Sequence, residues 1–410
     1  MSKSRLPMDI GDQNYRRWVR NNFPSIRNLV YLASSGRAPM PAQATAAMKT
    51  IFEKEAKDVR TSIDEEKIFR DFSQQGAGLL CCKPEELAFV TSTTMGISLF
   101  GNAVKWKKGD NIVLCDVEYP SNIFPWVWIS KREGVEIRKV KGKGGLISIK
   151  DIEKKVDDST KVLPISLVQF ASGQRMDIGH LSEICSDHGT MLFLDAIQAL
   201  GAVKVDLRKN DIAGLAAGGY KWLCGPIGSG ILQISDAWKD ELEPAMISWL
   251  SLEKSQRKSL WSRIVTGGPL IDDDVNVVRD ASAFSSLPEC FVQMVGLTES
   301  VRFLRSIGIT QIEKRIGKLN DYMLERLDEN DFETITPADS GHRAGILAFY
   351  SRERMPNKKM ADRISKELKN IKLVIRSGAF RSAAHFFNTK EDIDRALSAL
   401  IACRNRGLFR

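Results

Sequence analysis

An aspartate and a lysine follow two predicted strands in the middle of the chain. Asp195 closes the apolar run Met191 to Asp195, and Lys221 comes shortly after the run Ile212 to Ala217. In an open parallel sheet, ligands bind at the carboxyl ends of the strands, so we expect both side chains in one crevice. A lysine amine can bond to an aldehyde, and a carboxylate can keep a heteroaromatic ring nitrogen protonated so that the ring accepts electrons. Burial and a neighbouring positive charge would lower the pKa of the amine and make it a usable base.

Neither residue is specific when taken alone. Many α/β proteins have an aspartate at the end of a strand, and a lysine before a tryptophan can simply extend its amine from a helix end into water. The residues around the pair are more informative. They comprise Gln198, Gly201, Asp206, Asp211 and the run Tyr220-Lys221-Trp222-Leu223-Cys224-Gly225-Pro226-Ile227-Gly228-Ser229-Gly230.

This pattern resembles the lysine signature of the class V aminotransferases, a family that includes cysteine desulfurases, kynureninases and isopenicillin N epimerase-like enzymes. The resemblance extends over about residues 25 to 405. It implies a pyridoxal 5′-phosphate (PLP) enzyme of fold type I. In such an enzyme Lys221 would form the Schiff base with the cofactor, Asp195 would pair with the pyridine nitrogen, and Gln198 would hydrogen-bond the phenolic oxygen.

Two upstream segments agree in order with this family. Ser92, Thr93 and Thr94 lie between a strand and a helix start, where hydroxyl and backbone N–H groups can bind a phosphate. They are also ordinary helix-capping residues. Tyr119, in the segment CDVEYPSNIFPW, holds the position of the ring that stacks on PLP, or it is a core tyrosine. Tyr220 replaces a histidine that is frequent in the family, and its phenol can still donate one hydrogen bond to the phosphate.

The C-terminal segment LVIRSGAFRSAAHFFNTKEDIDRALSAL is similar to the family's substrate-binding strand and closing helix. Arg381 stands where relatives place the arginine that binds the substrate α-carboxylate, and Arg376 is the neighbouring alternative. A guanidinium group suits this role because it binds a planar carboxylate through two hydrogen bonds. Either arginine could instead form a surface ion pair. We interpret His385 as a packed residue rather than a catalytic base.

The family implies several reactions on a small α-amino acid. Desulfuration through a protein persulfide needs a mobile cysteine, which relatives place in a loop before the closing helix. The corresponding region, IRSGAFRSAAHFF, is short and has no cysteine, so that reaction is disfavoured. The sequence leaves aminotransfer and α,β-elimination of a carbon–sulfur bond nearly equal, with epimerisation in the same branch as elimination.

A third alternative is a PLP-binding protein that has no turnover. The joint presence of a lysine, two cofactor-binding residues and a substrate-binding arginine argues against it. These residues are Lys221, Asp195, Gln198 and Arg381.

Short apolar runs that alternate with helical stretches predict the fold around these residues. Continuous apolar runs are typical of parallel strands that crossover helices bury on both faces. The fold class is therefore α/β, with a mostly parallel seven-stranded sheet in a large domain and a smaller α+β C-terminal domain. The predicted strands are 87–91, 111–116, 135–140, 162–170, 191–195, 212–217 and 230–234 in the large domain, and 344–350 and 373–376 in the smaller one.

The length of 410 residues exceeds what one hydrophobic core usually holds, which favours two domains. We predict an N-terminal arm over residues 1–24, a large PLP-binding domain over 25–268 and a small domain over 269–410. Glycine, proline and charged residues are typical of connectors. The predicted connector consists of Thr266-Gly267-Gly268-Pro269 with Asp272, Asp273 and Asp274.

The family also implies a homodimer with active sites near the interface. Relatives often have a Gly-Thr-Pro-Asn type segment that reaches the neighbouring subunit's cofactor. This chain has FSSLPE at that place, so either Ser285 or Ser286 substitutes or the contact is absent.

The composition of the chain indicates its cellular compartment and the classes of partner it binds. The seven cysteines are scattered without CxxC spacing, which suggests neither a disulfide framework nor a zinc site. No apolar run is long enough to cross a bilayer, and the first residues lack the apolar stretch of a secretory signal. The net charge of +9 comes from basic residues interleaved with acidic ones, which favours a solvated surface over nucleic-acid binding. We therefore expect a cytoplasmic enzyme with an amino-acid substrate and no bound metal, nucleic acid or membrane.

Overall fold

A computed structural model of the chain describes residues 13–58, 63–271, 274–285, 290–353 and 355–409. Three parts of the predictions lie outside these ranges. They are residues 1–12 of the N-terminal arm, Asp272 and Asp273 of the connector, and Ser286. None of the helices in the described ranges is both long enough and apolar enough to cross a membrane.

Helices and strands alternate along most of the described chain. The strands are β1 (Val30–Tyr31), β2 (Leu87–Val90), β3 (Asn111–Cys115), β4 (Glu136–Val140), β5 (Thr160–Ser166), β6 (Met191–Asp195), β7 (Gly214–Gly218), β8 (Gly230–Ile234), β9 (Phe332–Thr334), β10 (Leu347–Ser351), β11 (Ile371–Lys372), β12 (Val374–Arg376) and β13 (Ala379–Ser382). The helices are α1 (Gln13–Asn22), α2 (Ala42–Lys57), α3 (Glu65–Leu80), α4 (Thr93–Ala103), α5 (Phe124–Glu133), α6 (Ile149–Glu153), α7 (Ile178–Asp187), α8 (Lys254–Thr266), α9 (Phe291–Ile307), α10 (Ile309–Asp328), α11 (Lys358–Glu367) and α12 (Lys390–Asn405).

The large sheet has the strand order β2-β8-β7-β6-β5-β3-β4 in the described part of the chain. Strand β8 runs antiparallel to both of its neighbours, and the other adjacent pairs are parallel. The central strands β6 and β7 are buried along their whole length. Burial on both faces explains why they are continuous apolar runs in the sequence. The predicted α/β class and mostly parallel seven-stranded sheet are confirmed.

Strands β6 and β8 have the predicted bounds, whereas several others end a few residues away. The largest difference is in β5, which ends at Ser166 rather than at the predicted Phe170. After Ser166 the chain turns back on itself, and the Gln169 N–H donates to the carbonyl oxygen of Gln174 at 2.8 Å. The apolar residues that follow Ser166 are thus buried in a turn, which a hydrophobic pattern does not distinguish from a strand.

A second sheet is antiparallel and has the order β12-β13-β10-β9. Strand β13 is buried throughout and pairs with both β10 and β12, although the sequence did not predict it. The short connection through Ser377 and Gly378 has left-handed φ angles of +50° and +74°, so two strands follow each other almost directly. Apolar residues of α10, α11 and α12 pack on this sheet and form the core of the smaller domain.

Two packing contacts cross the predicted domain boundaries. Strand β1 pairs with β11, and Val30 and Leu32 belong to the core of the smaller domain. Conversely, Ala281, Ala283 and Phe284 pack in a core cluster of the large sheet. The boundaries at residues 24 and 268 remain predictions.

Gly201 allows the loop after β6 to approach the backbone of Trp222. Its φ is +95°, and a Cβ at this position would overlap the Trp222 carbonyl oxygen. We expect Gly201→Ala to lower the free energy of unfolding by about 3 kcal/mol, because left-handed strain adds to a clash with rigid backbone. Gly134→Ala is the matched control, since φ there is +72° but nothing lies within 4 Å of the added Cβ.

Denaturant unfolding measures both variants. The control is expected to lose only about 1 kcal/mol, the cost of the left-handed conformation. Equal losses in the two variants would show that the contact with Trp222 is unimportant.

Candidate active site

The predicted cofactor-binding residues lie at one edge of the large sheet. Asp195 is the last residue of β6, and Tyr220 and Lys221 follow β7. Tyr119 follows β3, and Thr93 is the first helical residue after β2. These strands run in the same direction, so their carboxyl ends meet at the same edge.

Lys221 and Asp195 are both buried, with 7% and 2% of their surfaces exposed. The Lys221 Nζ lies 5.6 Å from the centre of the Tyr119 ring and 5.9 Å from that of the Tyr220 ring. The Asp195 Oδ1 accepts a hydrogen bond from the Ile197 N–H at 3.0 Å. Its Oδ2 accepts none from the described residues, so this oxygen is available to a ligand.

Burial changes the protonation of both groups. Burial lowers the pKa of the Lys221 amine to about 8. Asp195 opposes this shift, whereas Arg381 and Arg376 add to it. Burial also raises the pKa of the Asp195 carboxyl, and Glu118 contributes in the same direction. Since an ordinary lysine has a pKa of about 10.4, the Lys221 amine is neutral far more often than a surface lysine and can attack a carbonyl carbon or accept a proton.

The start of α4 offers several hydrogen-bond donors to a phosphate. Ser92 caps the helix by accepting a hydrogen bond from a backbone N–H of the first turn at 3.1 Å. The Thr93 Oγ1 accepts one from the Gly218 N–H at 2.8 Å, which leaves its own hydrogen for another acceptor. Thr94 donates to the Ser121 Oγ at 2.9 Å. The first N–H groups of a helix have no intrahelical partner and favour anions.

Gln198 is held by two hydrogen bonds in the interior. The Trp222 Nε1 donates to its Oε1 at 2.9 Å, and its Nε2 donates to the Ser35 carbonyl oxygen at 3.1 Å. The Ala38 N–H donates to the carbonyl oxygen of Tyr220 at 2.9 Å. The segment after β1 therefore closes the site beside the lysine. This segment was not predicted as part of the site; its signal in the sequence is the run of small residues LASSGRAP.

Arg381 and Arg376 lie on the same face of the hairpin formed by β12 and β13. Arg381 is paired with Val374, which shares its face with the residue two positions later. Arg381 is 4% exposed and donates from Nη1 to the Phe170 carbonyl oxygen. Burial lowers the pKa of Arg381 to about 10. Arg376 is exposed, and neither arginine forms an ion pair with the described residues.

Several buried polar atoms near these residues have no hydrogen-bond partner among the described residues. A buried polar atom without a partner is costly, so such a group indicates that a ligand completes the site. An amine, a carboxylate, an amide and an anion-binding helix start together fit a phosphorylated hydroxypyridine aldehyde. The unpartnered atoms are Ser34 Oγ, Ser35 Oγ, Gln169 Oε1, Arg381 Nε and Ser382 Oγ.

His385 is fully buried and contacts the backbone of Trp222, the residue after Lys221. Its Nε2 lies 3.0 Å from the Trp222 carbonyl oxygen, and its Nδ1 accepts from the Phe386 N–H at 2.8 Å. Burial lowers the pKa of the ring to about 4. A neutral, inaccessible imidazole agrees with our interpretation of a packed residue.

Glu118 is a buried acid that the sequence analysis did not single out. It is 3% exposed and precedes Tyr119. Its carboxylate accepts hydrogen bonds from the Asn122 Nδ2 at 3.1 Å, the Ser166 N–H at 2.9 Å and the Gln169 Nε2 at 2.7 Å, and from the Ser166 hydroxyl. Burial raises the pKa of Glu118, and these hydrogen bonds oppose the shift. An acid in a loop after a strand usually faces water, so its sequence carried no signal of burial.

Several known proteins are similar to this chain in sequence or in structure. The chain is 26% identical to a probable cysteine desulfurase from Methanothermobacter thermautotrophicus, over 92% of this chain and 94% of that protein. The structure is similar to apo cysteine desulfurase from Thermococcus onnurineus, with a TM-score of 0.83, 22% identity, and coverage of 98% of this chain and 99% of that one.

Two solved structures of the protein C-DES are also similar. One is the complex of this cystine C–S lyase with its product cysteine persulfide, with a TM-score of 0.81, 18% identity, and coverage of 92% of this chain and 99% of that one. The other is a lysine-to-alanine mutant with glycine covalently linked to the PLP cofactor, with a TM-score of 0.82, 19% identity, and coverage of 93% and 98%. These likenesses confirm the predicted fold type I.

The family assignment rests on the sequence profile. The profile of the Aminotransferase class-V family matches residues 30–396. This range contains every predicted site residue from Ser92 to Arg381. The resemblance seen in the lysine region is thus confirmed over nearly the whole chain, which belongs to the class V aminotransferase family.

Proposed function

We propose that this protein is a PLP-dependent carbon–sulfur lyase acting on a small sulfur-containing amino acid such as cysteine or cystine. The observation that carries the proposal is the buried pair of Lys221 and Asp195 in a class V enzyme whose substrate hairpin has no cysteine. Similar proteins are named cysteine desulfurases or a cystine C–S lyase. These names favour the elimination alternative over aminotransfer.

The cofactor is PLP, which supplies an electron sink for negative charge at the substrate α-carbon. Lys221 would bond covalently to its aldehyde, Asp195 would pair with the ring nitrogen, and Gln198 would hydrogen-bond the phenolic oxygen. The start of α4 and Tyr220 would bind the phosphate. Tyr119, which is 45% exposed, would cover the ring face.

The chain's own residues then divide the work between binding and proton transfer. Arg381 would bind the substrate carboxylate and so orient the bond between the α-carbon and its hydrogen. The Lys221 amine, displaced by the substrate amine, would accept the α-proton, and its lowered pKa suits this role. With cysteine the net reaction breaks the Cα–H, Cβ–S and Cα–N bonds and releases pyruvate, ammonia and hydrogen sulfide. One water is consumed, and its oxygen replaces the amino nitrogen in pyruvate.

Persulfide-forming desulfuration is disfavoured because the site offers no accessible thiol among the described residues. The hairpin of β12 and β13 turns through Ser377 and Gly378 and contains no cysteine. Cys224 is close to Lys221 in sequence but is fully buried, and burial raises the pKa of its thiol. A thiol that stays protonated and inaccessible is a poor nucleophile.

We also infer that the protein forms a homodimer. One face of α8 presents Trp261, Ile264 and Val265, which are exposed. Leu270 and Ile271 follow the helix and are exposed as well. Exposed large apolar residues that cluster in one segment are typical of an interface between protein chains.

The products distinguish the candidate reactions. With cysteine, the purified protein loaded with PLP is expected to release pyruvate and sulfide without an amino acceptor. With cystine it is expected to release pyruvate and cysteine persulfide, which yields sulfide only after a thiol reductant is added. Coupled lactate dehydrogenase measures pyruvate, and methylene blue formation measures sulfide. Stoichiometric pyridoxamine phosphate would instead favour aminotransfer, and alanine with a protein persulfide would favour desulfuration. A protein that binds PLP but converts none of a panel of amino acids would support the non-catalytic alternative.

Removing the buried guanidinium is expected to weaken substrate binding. Arg381→Ala should raise the Kd of a sulfur amino acid about 10- to 100-fold, because a charge-assisted contact is lost. The cofactor absorbance before substrate addition should not change. Arg376→Ala is the matched control and should have a smaller effect, since its guanidinium is exposed. Titrations that follow the cofactor absorbance measure both, and the reverse order would assign the carboxylate to Arg376.

The pH dependence of the rate of cofactor attachment measures the pKa of Lys221. Only the neutral amine reacts with an aldehyde, so the rate of attachment should rise about tenfold per pH unit below the pKa. It should level off near the lowered pKa of Lys221, about 8. With an ordinary lysine the rate would continue to rise up to about pH 10. Stopped-flow absorbance after PLP is mixed with the apoprotein measures the rate.

The control for this experiment is Lys221→Ala. Reduction with borohydride followed by mass spectrometry should find a covalent adduct in the wild type and none in the variant. An adduct of equal yield in the variant would overturn the assignment of Lys221.

A further inference from the structure

Glu118 is a buried carboxylate that the proposed reaction does not use. Its hydrogen bonds connect three parts of the site wall. Asn122 belongs to the turn that follows Tyr119, Ser166 ends β5, and Gln169 lies in the turn after β5. Burying a charged group is costly, so a buried carboxylate with this many hydrogen bonds indicates a specific role.

The hydrogen-bond partners of Glu118 favour its ionised form. The Asn122 Nδ2, the Gln169 Nε2 and the Ser166 N–H can only donate. The Ser166 hydroxyl can donate as well. The carboxylate accepts all four contacts, and three of the donors are fixed N–H groups that stabilise its negative charge. These hydrogen bonds oppose the effect of burial on the pKa of Glu118.

Glu118 is linked to Asp195 through Ser166, and its charge contributes to the raised pKa of the Asp195 carboxyl. Ser166 and Asp195 are paired residues of the adjacent parallel strands β5 and β6. The Ser166 N–H and hydroxyl both turn to Glu118, while the Leu167 N–H donates to the Asp195 carbonyl oxygen at 2.9 Å. Of the two oxygens of Asp195, only Oδ1 is occupied by a hydrogen bond from the described residues. The two carboxylates thus form a pair, of which one is saturated and the other is available.

We propose that Glu118 is a positioning residue that acts through Asp195, because its fixed negative charge increases the affinity of Asp195 for a protonated ring nitrogen. The inference rests on the PLP binding proposed above. A carboxylate with a second negative charge near by holds a proton or a cation more strongly than one that stands alone. In a site shielded from water this interaction is little screened.

The test compares PLP with its 1-deaza analogue, in which carbon replaces the ring nitrogen and the aldehyde, hydroxyl and phosphate remain. Quenching of tryptophan fluorescence measures the binding of each to the apoprotein. The wild type is expected to bind PLP more tightly than the analogue. In Glu118→Gln the affinity for PLP should fall about tenfold, the effect of one unit in proton affinity, whereas the affinity for the analogue should not change.

Three variants separate charge from shape. Ser166→Ala removes one hydrogen bond and keeps the charge of Glu118, so the ratio of the two affinities should stay at the wild-type value. The double variant Glu118→Gln/Asn122→Asp moves the negative charge to the neighbouring side chain and should restore the ratio. In an Asp195→Asn background, Glu118→Gln should leave the ratio unchanged, because the effect passes through Asp195.

The outcomes are distinct. If Glu118→Gln weakens the binding of both ligands equally, or of neither, the ratio of the affinity for PLP to that for the analogue stays at the wild-type value. Either result would overturn the inference, and an equal loss would indicate a purely structural role. If circular dichroism shows that the single variant does not fold, the double variant carries the test. A ratio of the two affinities below the wild-type value in the double variant would then overturn the inference. A wild-type protein that binds neither ligand would refute the PLP-dependent function itself and with it this inference.

Discussion

The structure depends on keeping a lysine amine and a carboxylate together out of water. Each group alone would be costly to bury, and their mutual attraction offsets part of that cost. Burial lowers the pKa of Lys221 and raises that of Asp195, so both are held close to a change of protonation state. Groups with shifted pKa values in one crevice are typical of sites that move protons.

The large sheet makes this burial possible because its central strands are buried throughout and carry their site residues at their carboxyl ends. Asp195 ends β6, Tyr220 and Lys221 follow β7, Tyr119 follows β3, and the start of α4 follows β2. The supporting contacts come from distant parts of the chain. Gln198 is held between Trp222 and the segment after β1, and Arg381 reaches from the smaller domain to the Phe170 carbonyl oxygen.

The site combines charges of both signs. Two carboxylates, Glu118 and Asp195, lie in the interior, and Asp195 and the two arginines of the hairpin are near enough to Lys221 to shift the pKa of its amine. A ligand that carries a positive ring nitrogen and a substrate that carries a carboxylate match these charges. The absence of a cysteine from the hairpin leaves the site with bases and cations but no accessible nucleophilic sulfur among the described residues, which suits elimination better than sulfur transfer to the protein.

Much of the fold followed from local pattern. Buried parallel strands are continuous apolar runs, so β6 and β8 could be predicted to the residue, and the signature around Lys221 identified the family. Strand β13 was not predicted because it is short and lies in a segment that contains glycine and polar residues. Strand β5 was predicted to be too long because the buried turn after it is as hydrophobic as a strand.

The amino-acid sequence by itself determined the chemistry that is available: which residue is the amine, which the carboxylate, and that no thiol stands in the substrate hairpin. Only the tertiary structure decided how strongly those groups are perturbed and what supports them. Burial, the pairing of Ser166 with Asp195 and the saturation of Glu118 all arise from contacts between residues far apart in the chain. Desolvation and hydrogen bonding depend on three-dimensional neighbours, which a linear pattern does not encode.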